Sequence, residues 1–239
     1  MEKKEELKKT IGRLKDIIIN KFENKGLISL YLSGTILTRD RVKESDIDFF
    51  GFVDKKFNIK KEEEKINKFF DKNRKKLSGR IECRFRAIGT DEFSGRVKRG
   101  NLSRYMGVRG LAVTFPFWKF IWGKRINYTN YVKPYTLSYR KKNAIGRIKF
   151  MIAEIKKGHN HFIQNFSKEI LRLSGIENEI INKENYEHYY SKIEGKFKRN
   201  KNHISHEAMR LRKKRVSRKE IIMFFSRVEE YLKYMGSLK

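Results

Sequence analysis

Two apolar runs too short to be helices, residues 27–32 and 47–53, lie between segments of clear helical period. That arrangement confines the chain to folds in which strands and helices share a core. Before the first run, Leu7, Ile11, Leu14, Ile18 and Phe22 recur at spacings of three and four, predicting a helix over residues 3–24 that Gly26 stops. A charged amphipathic helix is expected over 60–76, with Ile66, Phe69 and Phe70 on its inner face. Residues 80–88 alternate strictly. Ile81, Cys83, Phe85 and Ala87 share one side; Arg80, Glu82, Arg84 and Arg86 share the other, as in a half-buried strand with a wet face. From about residue 138 no further strand is expected. Helical patterns run over 138–157, 160–173, 178–199 and 217–235, with breaks near Gly158, Gly175 and residues 200–202. Only Pro116 and Pro134 interrupt the chain, so long helices are allowed. The expectation is an α+β domain over residues 1–134 followed by an all-helical, basic domain over 135–239.

Charge is the first functional clue. Lys and Arg number 58 against 28 Asp and Glu, a formal +30. The excess is +16 over residues 1–137 and +14 over 138–239, so it belongs to the whole body and not to a tail. A field of that sign attracts polyanions; a lysine-rich composition without function gives the same count. The densest part is 196–219, with eleven Lys or Arg and one acid, Glu207. Cys83 is the only cysteine, which excludes an intrachain disulfide and a thiolate zinc site. No stretch approaches the roughly 20 apolar residues that span a bilayer. The greasiest, 115–122, is short and holds Pro116 and Lys119. A soluble, cytoplasmic protein with no membrane partner is expected.

The chemistry concentrates in Leu32-Ser33-Gly34-Thr35, then ten residues (36–45) of a largely charged loop, then Asp46-Ile47-Asp48. Period-two geometry puts Asp46 and Asp48 on one face of their strand and Ile47 in the core. Adjacent carboxylates repel unless a cation lies between them. Hard divalent ions such as Mg²⁺ take few protein oxygens and complete their shell with water and phosphate. Gly34 lets a triphosphate approach the backbone, and Ser33 offers it a hydroxyl and an amide. Arg39, Arg41 and Lys43 in the loop are candidate counter-charges for the phosphates.

Residues 28–53 resemble the signature of the DNA polymerase β-like nucleotidyltransferase superfamily, a Gly-Ser pair followed by Asp-x-Asp. Here the pair is reversed, Ser33-Gly34. The resemblance covers residues 10–125 more loosely, and the segment 120–124 is similar to one that follows the third strand in aminoglycoside-type members. It implies a small mixed-sheet palm domain, a third carboxylate from a later strand, where Glu82 falls, and two Mg²⁺ ions held by Asp46, Asp48 and Glu82, with Mn²⁺ an acceptable substitute. It further implies an NTP as substrate, bound by Ser33, Gly34, Arg39 and Lys43. An acceptor hydroxyl would attack the α-phosphate in line, with Glu82 on the acceptor side, and pyrophosphate would leave.

The +30 charge favours RNA as acceptor. Tyr186, Tyr189, Tyr190 and Phe197 could stack on bases or fill a buried helix face. Two alternatives stay open: a small-molecule or protein adenylyltransferase, and a nucleic-acid-binding module whose transferase site is vestigial. His159, His161, His203 and His206 are expected at the solvated surface, although Arg199-Asn200 with His206 resembles the Arg-polar-x-His signature of HEPN ribonuclease domains.

Overall fold

The computed structural model describes residues 2–34, 36, 46–79, 81–105, 107–214 and 216–238. It divides into two compact units, residues 1–135 and 136–239.

The first unit is α+β. Helix α1 (Glu2–Phe22) leads through a 3₁₀ turn into β1 (Leu27–Ser33), and β2 (Ile47–Val53) returns antiparallel to it. Helices α2 (Ile59–Lys72) and α3 (Arg74–Ser78) then carry the chain to β3 (Cys83–Gly89), which lies parallel to β2. Short helices α4 (Asn101–Tyr105) and α5 (Val108–Thr114) precede β4 (Lys119–Gly123), antiparallel to β1. The result is a mixed four-stranded sheet in the order β3-β2-β1-β4.

Alternation gives this sheet two different faces. Leu30, Leu32, Ile47, Phe49, Cys83, Phe85 and Ala87 bury one face against Leu14, Ile18 and Phe22 of α1 and Ile66 and Phe70 of α2. Tyr31, Phe50, Phe52 and Ile88 point the other way, into an aromatic cluster with Leu111, Trp118 and Tyr128. Phe50 stacks on Trp118 with ring centres 4.3 Å apart. Asp46 and Asp48 precede Phe50 and Phe52 on that second face, by the same alternation.

The inner stripe of α2 consists of Ile59, Ile66 and Phe70; Phe69, expected with them, is 40% exposed and touches Phe70 only from the flank. The polar side of this helix has a task of its own. β3 is an edge strand, and Glu63, Asn67 and Asp71, one helical turn apart, meet it. Ala87 N–H donates to Glu63 at 2.6 Å, Phe85 exchanges bonds of 2.8 and 2.9 Å with Asn67, and Arg84 reaches Asp71 at 2.8 Å. The helix thus satisfies backbone groups that an open edge would offer to another chain. Strand β4 was not expected. Its five residues carry only partly buried or exposed side chains, so hydrophobic alternation gives it little signal.

The second unit is helical: α6 (Leu137–Lys156), α7 (Ile163–Asn182), α8 (Tyr190–Lys196), α9 (Ile204–Lys213) and α10 (Arg218–Ser237). Helix α7 runs straight through Gly175, where a break was expected, and ends at Lys183 in the left-handed conformation. Gly175 is a packing contact: a Cβ there would lie 3.1 Å from Ile193 of α8. The basic run 196–219 is mostly folded structure. Arg212 is 5% exposed with its guanidinium 4.8 Å from the Tyr190 ring, and Arg210 pairs with Glu207 at 2.6 Å. Ser217 and Glu220 form the capping box that starts α10.

His203 is buried, contrary to the expected surface position. Its ring lies flat on Phe197 at 3.6 Å, Nδ1 accepts from the Ser205 amide, and Nε2 meets Glu177 at 2.9 Å. This network assigns the ring proton to Nε2, which donates to the carboxylate. The Tyr231 hydroxyl donates to the same Glu177 oxygen at 2.6 Å. These bonds satisfy polar groups inside the helical core.

Candidate active site

Ser33 is the last residue of β1 and stands opposite Asp48 in the antiparallel ladder. Gly34 follows with φ 93°, a conformation open to glycine at little cost. A Cβ built on Gly34 would lie 3.5 Å from Asp48 Oδ2, so the bare glycine backbone and the carboxylate adjoin at the strand end. Asp46 immediately precedes β2 and is partly buried, as is Asp48, while Ile47 between them is wholly buried. Arg39, Arg41 and Lys43 lie outside the described residues, as does Thr35.

On the other side of β2, Asp48 pairs in register with Arg84 of β3, and Ile47 N–H donates to Glu82 O at 2.8 Å. The backbone therefore brings Glu82 alongside the Asp46–Asp48 segment. Its carboxylate, however, binds Arg84 at 2.7 Å, and the same guanidinium holds Asp71 at 2.8 Å. Arg84 is raised above the usual guanidinium range: burial works against its charge, and Asp71 and Glu82 more than offset that. Asp71 is held below the usual carboxylate range by its hydrogen bonds to Arg84 and Arg74.

Cys83, turned to the opposite face, registers the field of the two aspartates. Burial first, then the negative charge of Asp48, and more weakly that of Asp46, push its thiol far above the ordinary range. It is inert as a nucleophile at neutral pH.

For a hard divalent ion, Asp46 and Asp48 supply a fitting pair of oxygen donors beside a glycine that leaves room for phosphate. Glu82 in its present rotamer does not complete the set. Among the described residues no three His, Cys, Asp or Glu side chains come together as an ion-holding group. Asp91 and Glu92 lie past the opposite end of β3 and have structural tasks. Asp91 pairs with Arg99 at 2.7 Å; Glu92 is fully buried and accepts from the amides of Gly89 and Arg99 and from Ser103 Oγ.

The polar stripe Glu63-Asn67-Asp71 went unread in the sequence, although its i, i+4, i+8 spacing was visible. It bears on the site by fixing β3 and, through Asp71, the rotamer of Arg84. Burial raises Glu63 to about 7, against the opposing effects of the Ala87 amide and Arg86.

No family model, characterised protein or solved structure matches the chain. Among the described residues, no helix is long and apolar enough to cross a membrane.

Proposed function

We propose that the first unit is a metal-dependent nucleotidyltransferase of the polymerase β-like kind, moving a nucleoside monophosphate from an NTP to an acceptor hydroxyl. The observation that carries this reading is the placing of Asp46 and Asp48 at one sheet end beside Ser33 and Gly34. Asp46 and Asp48 hold Mg²⁺, the Gly34 backbone and Ser33 hydroxyl accept the phosphates, and Arg39 and Lys43 neutralise them. The metal supplies charge stabilisation at the phosphoryl oxygens. Glu82 joins as the acceptor-side carboxylate by exchanging Arg84 for the cation. It is 42% exposed, and such a surface pair costs little to break. RNA is the favoured acceptor because the net charge of +30 suits a phosphodiester backbone; a cationic small molecule would call for an acidic pocket.

A second reading draws on the Glu82–Arg84 pair. If that pair is permanent, the site lacks its third carboxylate, and the chain is a basic nucleic-acid-binding module with a vestigial transferase centre. Incubating the protein with Mg²⁺, each labelled NTP, total RNA and candidate small acceptors separates the readings. Labelled RNA supports the first, a labelled small molecule or labelled protein redirects the acceptor, and no label beside tight RNA binding supports the second.

A further inference from the structure

The connection between α8 and α9 holds part of the basic run, with the sequence Lys-Phe-Lys-Arg-Asn-Lys-Asn over residues 196–202. Lys196 is paired with Glu184. Lys198, Arg199 and Lys201 are exposed, and no carboxylate among the described residues pairs with them. Elsewhere in the run, Arg210 is paired with Glu207 and Arg212 is buried against Tyr190. Three unpaired cations thus fall within four residues of one connection.

A connection of this composition is ordinarily a solvated, mobile run. Here it is tied at each turn. The Asn200 amide donates to Phe197 O at 2.9 Å, and the His203 amide to Asn200 O at 3.0 Å. His206, reaching back from α9, sets Nε2 3.1 Å from Phe197 O and 3.2 Å from Asn200 O, so this nitrogen carries a proton and donates to both carbonyls. Arg227 of α10 donates to Asn202 O at 2.9 Å. At the two ends Phe197 and His203 lie ring on ring, and His203 is anchored in turn to Glu177 of α7. Three like charges repel one another, and a loose loop would let them spread. These ties to α7, α9 and α10 keep them together, so a polyanion meets cations already in place and less ordering is lost on binding.

We infer that residues 198–201 are a seat for the phosphodiester backbone of RNA, with Lys198, Arg199 and Lys201 each meeting a phosphate. The fork of Arg199 suits a pair of phosphate oxygens. Residues 198–202 contain no apolar side chain. A protein partner binds chiefly through apolar and aromatic anchors, and a bilayer surface takes up apolar side chains beside the cations; the segment offers neither. A phosphate backbone asks for the cations alone. The choice of RNA rests on the acceptor proposed above; the seat itself does not.

The test is fluorescence anisotropy of a labelled short oligouridylate with the full chain, over a salt series. Lys198→Gln, Arg199→Gln and Lys201→Gln together should lower the log–log salt slope by about 2, three single-strand phosphates. A control with Lys65→Gln and Lys72→Gln on α2 and Lys75→Gln on α3 loses the same charge and should stay within about 0.7 of the wild-type slope, one phosphate. His206→Ala keeps the three cations and removes their tie, and should weaken binding by roughly threefold or more. The six charged positions are exposed, and circular dichroism of each variant checks that the helices persist. Should His206→Ala lose its helices, the two charge variants decide alone. Polyglutamate should displace the oligouridylate poorly. Equal slopes in the two triple variants, wild-type affinity in a folded His206→Ala, or ready displacement by polyglutamate would each overturn the seat. In the transfer assay the first triple variant should raise the KM for RNA and leave that for the NTP unchanged; an unchanged KM for RNA would overturn the seat as the acceptor's. If transfer fails throughout while the binding results hold, the transferase reading falls and the seat stands.

Discussion

Arg84 binds Glu82 at 2.7 Å and so holds one carboxylate away from the two it adjoins through the backbone. Under the proposed function, whether Glu82 leaves Arg84 decides between a working and a vestigial transferase. On that proposal Glu82→Gln is expected to lower kcat by about 100-fold or more with NTP affinity within about threefold, because Asp46 and Asp48 would still hold the nucleotide's metal. Steady-state kinetics with a separate NTP-binding titration checks this, and normal turnover in the variant would remove Glu82 from the site.

Asp46→Asn and Asp48→Asn each remove one of two like charges on the same strand face. Without divalent ions their melting temperatures should equal the wild type's or slightly exceed it. With Mg²⁺ and an NTP the wild type should gain stability by ligand linkage and the variants should gain much less. Thermal unfolding in the two conditions separates a metal-binding role from a purely structural one, in which both variants would be less stable throughout.

Glu63 gives the first unit a pH dependence of known sign. Its folded pKa, raised by burial to about 7, lies above the ordinary 4.5, so the folded state binds the proton more tightly. The contribution is complete below about 4.5 and is lost as pH rises through about 7. The loss is on the order of 3 kcal/mol at most. Glu63→Gln keeps an acceptor for the Ala87 amide and should flatten the stability profile between those limits, as denaturant titrations at several pH values would reveal. An equal slope in the variant would contradict the assignment.

Glu92 organises the segment after β3 by accepting from Gly89, Arg99 and Ser103 while fully buried. Glu92→Gln sets an amide donor against those donors and should cost about 2–4 kcal/mol. Equilibrium unfolding measures this; a cost under about 0.5 kcal/mol, the range of ordinary surface substitutions, would show the bonds to be weak.

What was legible in the sequence follows hydrophobic period. Residues 47–53 alternate between a helix-covered face and an aromatic face, and β2 occupies that span. The inward set of β3 was legible for the same reason. Phe69 was misread because spacing alone does not separate the centre of a buried stripe from its flank. Gly175 was misread as a stop because close approach to Ile193 leaves no mark in the sequence of α7. His203 was misread because its partners, Glu177 and Tyr231, lie far away in the chain. That Asp46 and Asp48 flank Ile47 at the start of β2 could be expected from Asp-x-Asp; the rotamer of Glu82 could not, since it depends on Arg84 and Asp71 from two elements.

Nucleotidyl transfer itself is the most direct measurement. The full chain would be incubated with Mg²⁺, each α-phosphate-labelled NTP in turn and short RNA, beside Asp46→Asn and Asp48→Asn. The expected result is label on the RNA with pyrophosphate released by the wild type, reduced by about 10³-fold or more in both variants. Labelling that persists undiminished in either variant, or its absence from the wild type with every NTP and acceptor, would contradict the assignment of Asp46 and Asp48.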